Sequence, residues 1–427
     1  MALDDFSIQY GTLSKYVGND TNIAIPQNVR VIGPRVFKDN ATVETVVISE
    51  GTTTIGGFAF SGCTALKSVV IPNSVTKISM SAFSGCTSLT SITIPNSVTE
   101  IESEAFKACT NLENIVLSES LSKISKNCFM GCTSLKEIII PNEVTQICEW
   151  AFANCENLSN VALPNTLNKI DNGAFCWCYN LCDVALPDGL LEIPKDSFRN
   201  CFALKKVVIP KNVGVIGEYA FANCKKLTTV TIPESVKKIE QSAFSVCEKL
   251  KKVSLPQNVE MGAHVFCGCK ALADENDFVI VNNTVFDYLG EAQDIVIPNG
   301  VTAINNGVFG ESEIKSVVIS EGVEEIAERA FEDCKYLSKI SLPHSLKKIA
   351  KDVFSLCPKL TTIIIPEGVE EIDEAFRACG RLKKVYLPKS VEKIAHFAFC
   401  YKSTIYAPIG SYAEQYAKEN NIPFVAE

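Results

Sequence analysis

Three histidines and two tryptophans are few for a chain of 427 residues, and 40 Lys and Arg fall short of 49 Asp and Glu. The net charge of -9 argues against a protein that grips the phosphate backbone of nucleic acid, which calls for a basic excess. No apolar run approaches the ~20 residues of a membrane-spanning helix. The start, Met1-Ala2-Leu3-Asp4-Asp5-Phe6, has neither a basic n-region nor an apolar h-region, so a secretory signal is expected to be absent or already removed. Neither G-x-S-x-G, H-E-x-x-H, a phosphate-binding loop, nor G-x-G-x-x-G after a strand occurs. His264, His344 and His396 fall at different points of the pattern described below, so they are expected to face solvent rather than act as bases. No enzyme, cofactor or metal site is therefore expected. With 47% apolar and 21% charged residues and a mean hydropathy of +0.15, the chain is nonetheless well able to fold.

What is abundant is 19 Cys and 23 Phe, and their positions are periodic. Phe recurs at 37, 60, 83, 106, 129, 152, 175, 198, 221 and 244 in steps of 23, then at 266, and again at 309, 331, 354, 376 and 399. Thirteen Cys stand three residues after such a Phe, as Cys86 follows Phe83. The unit reads L-x-x-[IV]-x-[IL]-P-x-x-[VL]-x-x-I-x-x-x-A-F-x-x-C-x-x, for example from Leu66 through Ile71-Pro72, Val75 and Ile78 to Ala82-Phe83 and Cys86. So short a coil cannot bury its own apolar side, and must stack on its neighbours around a shared core.

Within a coil, L-x-x-V-x-I alternates as a short strand with one face inward. Proline then ends the ladder because it has no N–H to donate. V-x-x-I begins a second extended segment, and A-F-x-x-C has the spacing of one helical or 3₁₀ turn, with Phe and Cys inward. Sixteen Phe-marked coils at ~4.7–4.9 Å each make a curved rod of roughly 75–80 Å.

These landmarks resemble the BspA-like (Treponema-type) leucine-rich repeat family over nearly the whole chain. The resemblance implies an α/β leucine-rich-repeat solenoid: a curved, β-rich rod with parallel strands on its concave face and short helical or 3₁₀ turns, in two tandem arrays. It implies adhesion or matrix contact as the context, and a cell-surface or extracellular location. The missing signal and the many thiols point instead to the cytoplasm.

The chain starts its programme twice, since Asp5-Phe6 through Gly18 reappears as Asp277-Phe278 through Gly290, an offset of 272 that also takes Phe37 to Phe309. We expect a capping hairpin over 1–25, a first array over 26–276, a restart hairpin over 277–297 that bends the rod modestly, a second array over 298–402, and a cap over 403–427. Ser411 is the expected N-cap of a helix in that cap, and the segment from Asn421 to Val425 its closing strand. The array is expected to be complete.

Six Cys lie outside the ladder, at 128, 148, 176, 182, 267 and 400. Cys176, Cys178 and Cys182, or Cys267 and Cys269, could suggest zinc, but they lack the paired spacing of closed zinc sites, and Cys178 and Cys269 belong to the ladder. Glu321, Glu324, Glu325 and Glu328, echoed by Glu367, Glu370, Glu371 and Glu374, follow the repeat and read as a solvated acidic face.

What remains is surface. The outward position before the last strand residue runs Val47, Val70, Thr93, Val116, Ile139, Ala162, Ala185, Val208, Thr231, Ser254, Val318, Ser341, Ile364 and Tyr386, apolar or small throughout. Such a column reflects either β-propensity or a strip that buries against a partner. The two positions after the leading Leu carry ten Lys against four acids over fourteen strands, concentrated at Lys205-Lys206, Lys251-Lys252 and Lys383-Lys384. These Lys serve either solubility or an acidic protein or glycan partner. Trp177 and Tyr179 flank Cys178 and form a candidate aromatic anchor. The candidate contact residues are thus Val70, Val116, Ile139, Val208, Tyr386, Trp177, Tyr179 and the three lysine pairs. The expected role is non-enzymatic binding of a protein or glycan by a monomer, or alternatively an intracellular scaffold, without nucleic acid or a membrane span.

Overall fold

A computed structural model describes residues 5–399 and 402–427; Cys400 lies outside the described residues. The chain forms two compact units, Met1–Met261 and Gly262–Glu427.

The first unit opens with an antiparallel hairpin, Phe6–Gln9 against Thr12–Tyr16, with a bulge between Ser7 and Ile8. The hairpin's second strand then runs parallel to Val31–Ile32, placing Leu13 beside Ile32. From there each coil contributes two strands to two ladders. The three-residue strands Asn22–Ala24, Thr45–Val47 and Ser68–Val70 pair in register, Val46 against Val69 and Val47 against Val70. The two-residue strands Thr54–Ile55, Lys77–Ile78 and Glu100–Ile101 form the second ladder. Between them the proline redirects the chain: Pro72 ends one strand, and its carbonyl accepts from the Val75 N–H at 3.1 Å.

The A-F-x-x-C segment corrects the expected helical turn. Phe58, Phe60 and Gly62 donate their N–H groups to Met80, Ala82 and Ser84 of the next coil, at 2.9, 2.8 and 2.7 Å. The residues between them, Ala59, Ser61 and Cys63, donate back three positions within their own coil. This alternation requires left-handed backbone two residues before and two after the Phe, as at Phe58 (φ 59°) and Gly62 (φ 74°). A helix cannot contain such residues in sequence, because it keeps every residue right-handed. The segment is therefore a third ladder made of linked turns, and each coil is hydrogen-bonded to its neighbours on all three sides.

Inside, the Phe rings form the predicted column. From Phe37 to Phe244 every one is at most 1% exposed, and successive centroids stand 4.9–5.6 Å apart with planes within 9°. Stacked Phe, Ile, Leu and Cys from neighbouring coils supply the apolar burial that no coil has alone.

The second unit repeats the opening. A hairpin, Phe278–Val281 against Thr284–Tyr288, carries its bulge at the equivalent place, between Val279 and Ile280. Its second strand then runs parallel to Ala303–Ile304. Asp294–Val296, Ser316–Val318 and Lys339–Ser341 pair in parallel, and so do Thr362–Ile364, Lys384–Tyr386 and Thr404–Ala407. Phe309 to Phe399 form this unit's aromatic column, with centroids 4.8–5.5 Å apart. The helix Tyr412–Glu419 starts at Ser411, whose hydroxyl accepts from the Glu414 N–H at 3.3 Å. It buries Ala413, Tyr416 and Ala417, and the Tyr416 hydroxyl lies 3.1 Å from the carbonyls of Ala395 and His396. The strand Phe424–Ala426 pairs beside Thr404–Ala407.

Candidate functional site

The three-residue strands fix which side chains can meet a partner. In Glu137–Ile139 the middle residue, Ile138, is buried, while Glu137 and Ile139 point out. In-register parallel pairing repeats this choice from coil to coil, so outward side chains align in columns about 4.8 Å apart. The column just before the final Ile or Leu of L-x-x-V-x-I is exposed: Val70 by 57%, Val116 by 60%, Ile139 by 74% and Val208 by 63%. Tyr386 is half-buried because its ring stacks on Tyr406 of the next strand, centroids 4.7 Å apart. The structure also adds Ala24 and Val296 to the column, both exposed and in register with Val47 and Val318. Their signal was present in Asn22-Ile23-Ala24-Ile25-Pro26 and Asp294-Ile295-Val296-Ile297-Pro298. Counting coils from Phe misses both, because each of these strands belongs to a coil that opens with a hairpin.

The lysines beside this strip divide into two kinds. Lys67 pairs with Glu44 and Lys136 with Glu113, both at 2.8 Å, each across one coil in a single column. Among the described residues Lys205, Lys206, Lys251, Lys252, Lys383 and Lys384 are exposed and make no ion pair. Between the first two pairs lie Thr228 and Thr229, not carboxylates. The Thr228 N–H donates to Lys205 at 3.2 Å, the Lys251 N–H to Thr228 at 2.9 Å, and Thr229 is in register with Lys206 and Lys252.

Trp177 and Tyr179 lie on the turn segment and not in the strand columns. Trp177 is left-handed (φ 62°) and stacks on Trp150, centroids 5.7 Å apart. Tyr179 stacks on Phe202 at 4.9 Å, with the Lys225 ammonium 5.6 Å from the Phe202 ring centre. Arg199 lies 4.7 Å over Tyr219. Each ring has a neighbouring coil as its partner and is half-buried, so this edge is separate from the sheet face.

The ladder thiols have a partner that spacing alone did not reveal. Cys86 Sγ–H donates to the Phe60 carbonyl at 3.2 Å, Cys109 to Phe83 at 3.1 Å and Cys155 to Phe129 at 3.2 Å. Burial pushes Cys63, Cys109 and Cys155 up to about 12, and Cys176 likewise to about 12, so these thiols stay protonated and unreactive at neutral pH. The eighteen described cysteines are all free thiols. No group of three His, Cys, Asp or Glu among the described residues is arranged to hold a metal ion.

His344 is exposed, with Nδ1 3.1 Å from Glu321, while Glu371 lies 3.2 Å from Lys348 and 2.6 Å from Lys393. Of that acidic face, Glu371 is thus paired with lysines of the coils before and after it. No described helix is long and apolar enough to cross a membrane.

A family model described as BspA type Leucine rich repeat region (6 copies) matches residues 8–132, 99–228, 145–273 and 279–406. Among solved structures the chain is similar to a leucine-rich repeat protein from Bacteroides ovatus, 27% identical, covering 91% of this chain and 83% of that one at a TM-score of 0.44. It is similar to a leucine rich cell surface protein from Faecalibacterium prausnitzii, 27% identical over 100% of this chain and 96% of that one, TM-score 0.33. A leucine-rich repeat protein from Eubacterium ventriosum is 22% identical over 86% and 90%, TM-score 0.40. No curated protein matches the chain.

Proposed function

The chain belongs to the BspA-type leucine-rich repeat family, and from that premise we propose that it is a non-enzymatic binding protein whose exposed sheet face docks a macromolecular partner in adhesion at a cell surface. The observation that carries the reading is the outward column. Its Val70, Val116 and Ile139 are each more than half exposed, at positions where side chains of a parallel ladder stand side by side, and Val208 is as exposed at the equivalent point of its coil. Solvent-facing strips of aligned branched side chains are where protein partners bury area. Tyr386 extends the strip in the second unit, and Trp177 with Tyr179 offers a secondary anchor on the turn edge. The lysine pairs flank the strip and would steer an acidic partner toward it.

A second reading, an intracellular scaffold, draws support from the eighteen free thiols, which suit a reducing compartment. Both readings use the same face. The test is retention of proteins from surface and cytosolic fractions of the source cells on the immobilised chain, compared with Val116→Asp/Ile139→Asp and with Trp177→Ala. Proteins held by the wild type should be lost from the first variant and kept by the second. Equal retention by all three removes the sheet face from the proposal. The fraction that yields the retained proteins separates adhesion from scaffolding.

A further inference from the structure

The strip and the lysines are not distributed alike, and the difference names a ligand. Residues 201–252 hold ten lysines against four acids in a chain whose net charge is -9. On the same face Lys67 and Lys136 each face a glutamate one coil away, Glu44 and Glu113. At Lys205-Lys206 and Lys251-Lys252 the intervening positions are Thr228 and Thr229, so the four ammonium groups stand around a pair of hydroxyls and make no ion pair among the described residues, with one carboxylate, Asp183, a coil before Lys206.

We infer that this patch binds a linear glycan carrying sulfate or carboxylate groups. The inference rests on the sheet face being the binding surface and gives the partner's chemistry at its basic end. Three features select that class. The backbone ladder fixes the lysine pairs two strand spacings apart, ~9.6 Å, a repeat suited to a chain with one acidic group every other sugar. The patch is flanked by Val208, Thr231 and Ser254, small side chains without the aromatic or arginine anchors that concentrate affinity at protein interfaces. Lysine ammonium groups are point charges that meet sulfate or carboxylate from many directions, which suits a flexible polymer without a fixed pose. A stiff nucleic-acid duplex is disfavoured because it cannot bend to stay on the patch and would lay its phosphates over the acidic remainder of the chain, which a short flexible glycan avoids.

The test is a binding titration of the full chain with a size-defined sulfated uronate oligosaccharide, a neutral dextran of equal length, polyglutamate and duplex DNA. The sulfated oligosaccharide should bind, weaken as salt rises, and outcompete polyglutamate and DNA by about tenfold or more. Lys205→Ser/Lys206→Ser/Lys251→Ser/Lys252→Ser should bind it about thirtyfold more weakly. The corresponding Arg variant should retain binding, and Lys67→Ser/Lys136→Ser should leave it unchanged. Unaltered binding in the fourfold Ser variant, or equal binding of polyglutamate, DNA or neutral dextran, overturns the assignment. Val116→Asp/Ile139→Asp should still bind the oligosaccharide, so a failure of protein retention on the apolar strip and a failure here are read independently.

Discussion

At the scale of one residue, Phe and Cys act as a pair. The ring fills the interior of its own coil, while the thiol three residues on donates to the carbonyl of the Phe one coil earlier, as Cys178 does to Phe152 at 3.2 Å. Phe152 is fully buried between Phe129 and Phe175, with centroids 5.3 and 5.4 Å away. Its truncation leaves a cavity that rigid neighbours cannot close. Phe152→Ala should therefore lower unfolding stability by ~3–5 kcal/mol. His344→Ala, which removes an exposed contact with Glu321, should leave the denaturant midpoint unmoved within scatter. Equally mild effects in chemical melts would remove Phe from the core. The inward ring was legible in the sequence because a 23-residue period of one large apolar residue has no other economical explanation. The thiol bond was not, because a small buried side chain satisfies the same pattern whether or not it donates.

At the scale of the element, the two strands of each coil could be read from alternation and proline, but the third ladder could not. Its A-F-x-x-C spacing fits a helical turn as well as it fits linked turns, and the two differ only in backbone handedness. The clue lies two residues after each Phe, where Gly62, Gly85, Gly131, Asn154, Asn200 and Asn223 share positive φ. Gly and Asn are the residues that accept that conformation at least cost. Val246 occupies the same position at φ 57° with a β-branched side chain, the least favourable kind there. Val246→Asn is expected to raise stability by about 1 kcal/mol, and Asn154→Val to lower it by about 1–2 kcal/mol. Thermal melts of the two variants check the pair, and a helical segment would leave both nearly unmoved, since Asn and Val differ little in helix propensity. The sheet face was legible for the same reason as the strands. Its charge pairing became legible only when columns were compared coil by coil, Glu44 with Lys67 and Glu113 with Lys136.

At the scale of the whole molecule, the ladder of thiols makes the fold sensitive to alkali. The first unit holds ladder thiols from Cys63 to Cys247, the second only Cys269, Cys334, Cys357 and Cys379. Burial raises every ladder thiol from Cys63 to Cys224, with Cys63, Cys109 and Cys155 at about 12, against an ordinary value of 9.0. Between those limits the unfolded chain has lost its thiol protons and the folded chain has kept them, so folding becomes less favourable as pH rises. The stabilisation is complete below pH 9 and is lost as pH climbs toward 12. Each such thiol contributes a slope of up to ~1.4 kcal/mol per pH unit in that window, and the first unit has more of them. Denaturant melts between pH 8 and 11 should therefore show the first unit losing stability more steeply than the second. Alkylation mapped residue by residue would follow the two separately. Cys109→Ala/Cys132→Ala should flatten the first unit's slope by close to two protons, whatever its effect on stability at neutral pH. A slope unchanged in that variant would mean that the thiols titrate alike in the folded and unfolded chain. The sulfurs would then be open to water, which the hydrogen bonds to the Phe carbonyls in the stacked interior do not allow.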